Sequence, residues 1–225
     1  LVPFITSHRP PTSPLFPSTP RFRSVELDRD LAAFLGETLG DDPNITIYQQ
    51  DILKFDLRQL GSEPGNLRII GNLPYNISTP LIFHLLTYRE LIRDMVFMLQ
   101  LEVVKRLTAA PGSNEYGRLS VMAQYHCKAE LLFKVPPGAF NPKPKVDSAI
   151  VRLTPHRPKP VEAADYDLFT RVVRSAFSQR RKPLRTTPRD IISEAQLLAI
   201  GIDPQLRAEK LSVSDYVKIA NTLNS

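Results

Sequence analysis

From Ser24 to Pro155 the chain alternates strand-like runs with segments of helical spacing, and this alternation limits its possible folds more than any other feature. "SVELD" (24–28) reads as a short strand ending in acids. "RDLAAFLGETLG" (29–40) carries apolar residues at 31, 34, 35 and 39 and stops at Gly40, which predicts a helix. "NITIYQQD" (44–51) is a second strand ending in an acid, and "LRIIGNLPY" a third, followed by the helix "TPLIFHLLTYR". "RDMVFMLQ" (93–100) is a continuous apolar strand before the helix "EVVKRLTAA". Residues 116–135 hold a helix and then a strand, and "SAIVRLTP" (148–155) is a last strand. Fully apolar strands between helices predict a parallel, doubly wound α/β sheet. A Pro-rich joint, "HRPKPVEAA" (156–164), leads into an all-helical end with helices over 165–181, 190–200 and from Ser212, where Ser212 and Asp215 stand near capping-box spacing.

In such a sheet, ligands bind beyond the carboxyl ends of the strands. Glu26 and Asp28 end one strand, Asp51 the next, and Asn72 to Tyr75 the third. An acid in the place of Glu26 suits the hydroxyls of a ribose, and one in the place of Asp51 suits an adenine amino group, so the series suggests an adenosine-containing cofactor. In Asn72-Leu73-Pro74-Tyr75 the proline stops the ladder and biases Leu73 toward an extended conformation. The Leu73 carbonyl and the Asn72 side-chain oxygen can then converge as two acceptors for an amine on a planar ring, with Tyr75 stacking on that ring. This fits alkylation of a flipped-out base by positioning and electrostatics. A plain strand-to-helix turn with Tyr75 in the core is the alternative.

Residues 1–23 are of another composition, with six of the 21 prolines and no Asp, Glu or Gly. They read as extended or disordered. They lack the apolar run of a secretory signal and the amphipathic helix of a mitochondrial one. No window is apolar enough for a membrane span. The single Cys127 excludes an internal disulfide and suits a small core residue, and together these features suggest a cytoplasmic protein; nothing in the sequence suggests an obligate oligomer, so a monomer is expected. The net charge of +6 is uneven: residues 152–189 hold ten Lys/Arg against three acids, and the rest of the chain is close to neutral. That concentration points to a polyanion, nucleic acid above all. His84, His126 and His156 have no spaced ligand partners, so no metal is expected.

"NLPYNIST", "LQLEVVKRL", "YGRLSVMAQY" and "FNPKPKVDSAIVRL", in this order, resemble the dimethyladenosine transferases of small-subunit ribosomal RNA over about residues 24–225. The resemblance implies a Rossmann-like methyltransferase domain (24–157), a small helical RNA-binding domain (158–225) and an atypical Pro-rich segment (1–23). It implies S-adenosylmethionine as cofactor, and as activity the dimethylation of two adjacent adenines near the RNA's 3′ end during assembly of the immature small subunit. It assigns Glu26, Asp51 and Ile52, with Asn72, to the cofactor. Asn72, Leu73, Pro74, Tyr75 and Phe140 fall to catalysis, Phe140 holding the target base; core packing is the other reading of that residue. Lys143, Lys145, Arg180, Arg181 and Lys182 fall to RNA.

The family's glycine-rich loop on the first strand has no counterpart here, since no glycine precedes Gly36. The first strand is therefore expected to be missing, with "LVPFIT" a poor substitute because Pro3 opposes an interior strand. Residues 1–23 are expected to be unrelated to the family, the product of a damaged or mis-framed gene. The alternative function is then a catalytically impaired rRNA-binding assembly factor, or a fragment of the enzyme. Pro183 and Pro188 are expected to break a helix beside the basic block.

Overall fold

The computed structural model describes residues 4–7, 21–74, 76–186 and 192–224, the first of these stretches by its backbone. The strands are β1 (Phe4–Ser7), β2 (Arg21–Glu26), β3 (Ile45–Gln49), β4 (Leu67–Asn72), β5 (Ile92–Gln100), β6 (Cys127–Val135) and β7 (Ser148–Pro155). The helices are α1 (Arg29–Leu39), α2 (Ser78–Leu86), α3 (Leu101–Thr108), α4 (Arg118–His126), α5 (Tyr166–Ser178), α6 (Glu194–Ala199) and α7 (Val213–Asn224). The sheet order is β3-β2-β1-β4-β5-β7-β6.

The sheet is mixed, where the sequence suggests an all-parallel one. β2 and β3 are parallel, as are β4 and β5, but β7 runs antiparallel to β5. β6 and β7 are joined directly, without the crossover helix that a parallel pair needs.

The largest difference lies in the middle. The strand position expected to be empty is filled by β1, which pairs antiparallel with both neighbours: Phe4 with Ser24 and Ile70, Ser7 with Arg21 and Leu67. The ladder begins one residue after Pro3, so the proline's missing N–H interrupts none of these pairs. Without β1, the inward backbone groups of β2 and β4 would stand unpaired in the centre of the sheet. β2 itself starts at Arg21, inside the segment read as irregular. Residues 8–20 lie outside the described residues.

Alternation of side chains across the sheet explains which strand residues form the core. Val25, Ile69, Met95, Phe97, Val151 and Leu153 share one face by register and are buried. Each such side chain contributes about 1.5–3 kcal/mol when withdrawn from water. Arg68 and Asp94 face each other across β4 and β5 and close a two-point ion pair at 2.9 and 2.8 Å, beside the irregularity at Leu67/Arg68. This pair helps to pin the register. Asp28 starts α1 by accepting the N–H groups of Asp30 and Leu31, both at 2.9 Å.

Chain contacts divide the protein into two compact units. One comprises the described residues of Leu1–Val104 with Glu130–Pro155, and the other Lys105–Ala129 with His156–Ser225. The second unit thus begins next to the expected joint but also recruits α4. Aromatic packing is the reason: Tyr125 on α4 meets Phe169 on α5 at a ring-centroid distance of 4.6 Å, and Tyr116 meets Phe177 at 6.4 Å. Phe177 in turn meets Tyr216 of α7 at 5.9 Å. α5 ends at Ser178 rather than at 181, and the following Leu184 and Arg185 donate to the carbonyls of Leu206 and Pro204. Pro188 and the start of the helix expected at 190 lie outside the described residues; α6 itself begins at Glu194. Ser212 and Asp215 form the expected cap of α7, with Ser212 N–H and Oγ–H donating to Asp215 Oδ2 and Asp215 N–H to Ser212 Oγ. Among the described residues, no helix is long and apolar enough to cross a membrane.

Candidate active site

Glu26 is the last residue of β2, paired in register with Gln49, and its carbonyl accepts the Gln50 N–H at 2.9 Å. Its side chain is only 8% exposed. Oε1 accepts the Asp28 N–H at 2.9 Å, while Oε2 is buried with no partner among the described residues. A carboxylate oxygen withdrawn from water without a donor is costly, so this atom calls for a ligand hydroxyl. Asp51 follows β3, where its Oδ1 accepts the Leu53 N–H at 3.0 Å, and the neighbouring Ile52 is buried. Glu26, Asp51 and Ile52 line one cleft of about 340 Å³ with Gln50, Leu73 and Pro74. Two carboxylates and an apolar wall suit the ribose and the adenine of a nucleoside.

A second cleft, of about 310 Å³, is lined by Asn72, Leu73, Pro74, Phe140, Pro142 and Ser148 among others. Asn72 ends β4, and Leu73 donates its N–H to the Met98 carbonyl at 3.2 Å, so β5 holds the turn in place. The Pro74 carbonyl accepts the Ile77 N–H at 3.2 Å and leads the chain into α2. Phe140 follows a 3-10 turn at Pro137–Ala139 and is half-buried. Leu73 and Pro74 line both clefts, so the two meet at this dipeptide. Tyr75 lies outside the described residues.

The structure therefore brings together Glu26, Asp51 and Ile52 on one side and Asn72, Leu73, Pro74 and Phe140 on the other. Where the resemblance has a glycine-rich loop after a parallel strand, this chain has β1, whose starting residue Phe4 lies toward the same edge. Gln50, Pro142, Pro144 and Ser148 were missed as lining residues. The prolines had a signal, since residues 140, 142 and 144 alternate with 141, 143 and 145 in an extended run; Gln50 had none.

The basic residues separate into two kinds. Lys143, Lys145, Arg181 and Lys182 are exposed. Arg180 is engaged within its unit: it pairs with Glu209 at 3.0 Å and donates to the Asn114 carbonyl. Its expected RNA contact competes with that structural tie.

The strand order and the paired clefts at the carboxyl edge define a Rossmann-like methyltransferase. Known structures agree. A dimethyladenosine transferase from Plasmodium falciparum is similar with a TM-score of 0.75 at 24% identity, covering 90% of this chain and 81% of that one. The 23S rRNA methyltransferase ErmE is similar with a TM-score of 0.67 at 27% identity, covering 90% and 82%. The ribosomal RNA small subunit methyltransferase A of Pseudomonas savastanoi pv. phaseolicola is 56% identical over 200 residues, 89% of this chain and 75% of that protein. The family model of ribosomal RNA adenine dimethylases matches residues 12–225. The chain belongs to the ribosomal RNA adenine dimethylase family, and the match begins twelve residues before Ser24, inside the segment expected to be unrelated.

Proposed function

We propose that this protein dimethylates the exocyclic amines of two adjacent adenines near the 3′ end of small-subunit ribosomal RNA, with S-adenosylmethionine as donor. The observation that carries the reading is the meeting of two clefts at Leu73-Pro74, one holding the unpartnered Glu26 oxygen and the other Asn72 and Phe140. Family membership supports it.

When bound, S-adenosylmethionine supplies a methyl group activated for transfer. Glu26 accepts a ribose hydroxyl of the cofactor, and Asp51 and Ile52 hold its adenine. On the other side Phe140 stacks on the target adenine. Asn72 Oδ1 and the Leu73 carbonyl accept the two hydrogens of its amino group, which turns the nitrogen lone pair out of the ring and toward the donor. The extra proton of the methylated amine leaves to water, so no strong base is required. Lys143, Lys145, Arg181 and Lys182 neutralise phosphates of the RNA. The partner is the immature small subunit, and the protein works there as a cytoplasmic monomer.

The test is transfer of labelled methyl groups to small-subunit RNA that lacks them, with the modified adenines located by mass spectrometry. Two neighbouring dimethyladenines, lost in Asn72→Ala, are expected. RNA binding without any transfer would sink the enzyme reading and leave the assembly-factor role.

A further inference from the structure

Four polar residues of α5 have no part in the proposed reaction. Arg171, Arg174, Ser175 and Ser178 are spaced i, i+3, i+4 and i+7, which puts them along one side of the helix, while Phe169, Val173 and Ala176 are buried. With Leu168 and Val172, and with Leu223 of α7, they line a groove of about 670 Å³, and among the described residues no acidic side chain lines it. The acids of α5 lie at its start, where Asp165 caps the helix by accepting the Leu168 N–H at 2.9 Å and Asp167 follows.

Both arginines are exposed, and among the described residues neither makes an ion pair or hydrogen bond. Other cations of the basic stretch are engaged: Arg152 with Glu130, Lys159 with Glu162 and Arg180 with Glu209. Two unpaired guanidinium groups one helical turn apart, about 4.5 Å along the axis by helical rise, repel each other and gain from a shared anionic partner. Guanidinium matches phosphate oxygens by paired N–H donors. Ser178 Oγ donates to the Ser175 carbonyl at 2.7 Å, so its oxygen stands as an acceptor at the same wall. A 2′-hydroxyl is a suitable donor to it. The apolar residues Leu168 and Leu223 suit the face of a sugar.

We propose that this groove is a second RNA-backbone site, in which Arg171 and Arg174 bind neighbouring phosphodiesters apart from the block at Arg181 and Lys182. The proposal rests on the RNA-substrate reading above. It adds a contact on the long helix of the second unit, and that contact reads phosphate and ribose rather than base sequence.

The experiment compares the parent chain, Arg171→Gln/Arg174→Gln and Arg171→Lys/Arg174→Lys for binding to small-subunit RNA between about 50 and 200 mM salt. Circular dichroism and cofactor binding serve as controls of folding. The Gln variant is expected to bind RNA at least about tenfold more weakly at low salt, and its salt slope is expected to fall by about 1.4, the loss of two single-strand phosphate contacts. The Lys variant is expected to keep most of the slope. Unchanged affinity and slope in the Gln variant overturn the groove while leaving the RNA reading intact. A parent chain that fails to bind RNA overturns both.

Discussion

Ser148 pairs with Gln100 across the antiparallel ladder of β5 and β7, and this one register places one wall of the cleft beside Asn72. Asn72 pairs with Met98, two residues earlier on β5. Because β7 runs against β5, its beginning lies at the carboxyl edge, and the loop before it arrives there too. That loop carries Phe140, Pro142 and Pro144 into the cleft beside Asn72. A parallel β7 would deliver the same loop to the opposite edge.

Glu26→Gln keeps the acceptor for the Asp28 N–H but replaces the unpartnered carboxylate oxygen by an amide donor. Loss of a charge-assisted hydrogen bond costs about 1.5–3 kcal/mol, so cofactor affinity is expected to fall roughly 10- to 100-fold. Titration calorimetry measures it, and the thermal midpoint is expected to hold or rise, because a buried unpaired charge is removed.

Phe140→Ala is expected to lower kcat/KM on RNA by about 1–3 kcal/mol of lost stacking, with cofactor affinity unchanged. Phe140→Tyr keeps a ring and is expected to retain most of the activity. An equal loss in both variants would argue against stacking.

Arg180 and its neighbour Arg181 are expected to differ in kind. Arg180→Ala breaks the half-exposed pair with Glu209 and the bond to the Asn114 carbonyl, which costs about 1 kcal/mol of stability and lowers the thermal midpoint. Arg181→Ala leaves the midpoint alone and weakens RNA binding, with a shallower salt slope. Calorimetry and RNA titration on the two variants separate these effects.

Burial pushes the Cys127 thiol up to about 12 from an ordinary value of 9.0. The unfolded chain therefore loses this proton first, and the contribution to stability, complete below pH 9, is lost as pH rises toward 12. The slope is about 1.4 kcal/mol per pH unit within that window. Denaturant unfolding at successive pH values is expected to show a shallower decline in Cys127→Ala. Tyr116 and Tyr216, also held neutral by burial, contribute above pH 10 in both proteins. In the native protein, thiol reagents at pH 8.5 are expected to leave Cys127 unmodified until denaturant is added.

The sequence by itself determined the alternation of strands and helices, the acids at the ends of β2 and β3, the Asn-Leu-Pro turn and the helical end, because each is a local pattern of period, capping or ring constraint. Its family blocks also named Phe140. The tertiary structure decided what depends on pairing between distant residues. Phe4–Ser7 fills the centre of the sheet antiparallel, because β2 and β4 both need ladder partners and a strand can satisfy them in either direction. α4 joins the second unit because Tyr125 finds Phe169 there. Arg180 is drawn to Glu209, 29 residues away in sequence, while Arg171 and Arg174 have no ion-pair partner among the described residues. Composition counts all three as positive charge, and only the fold assigns their partners.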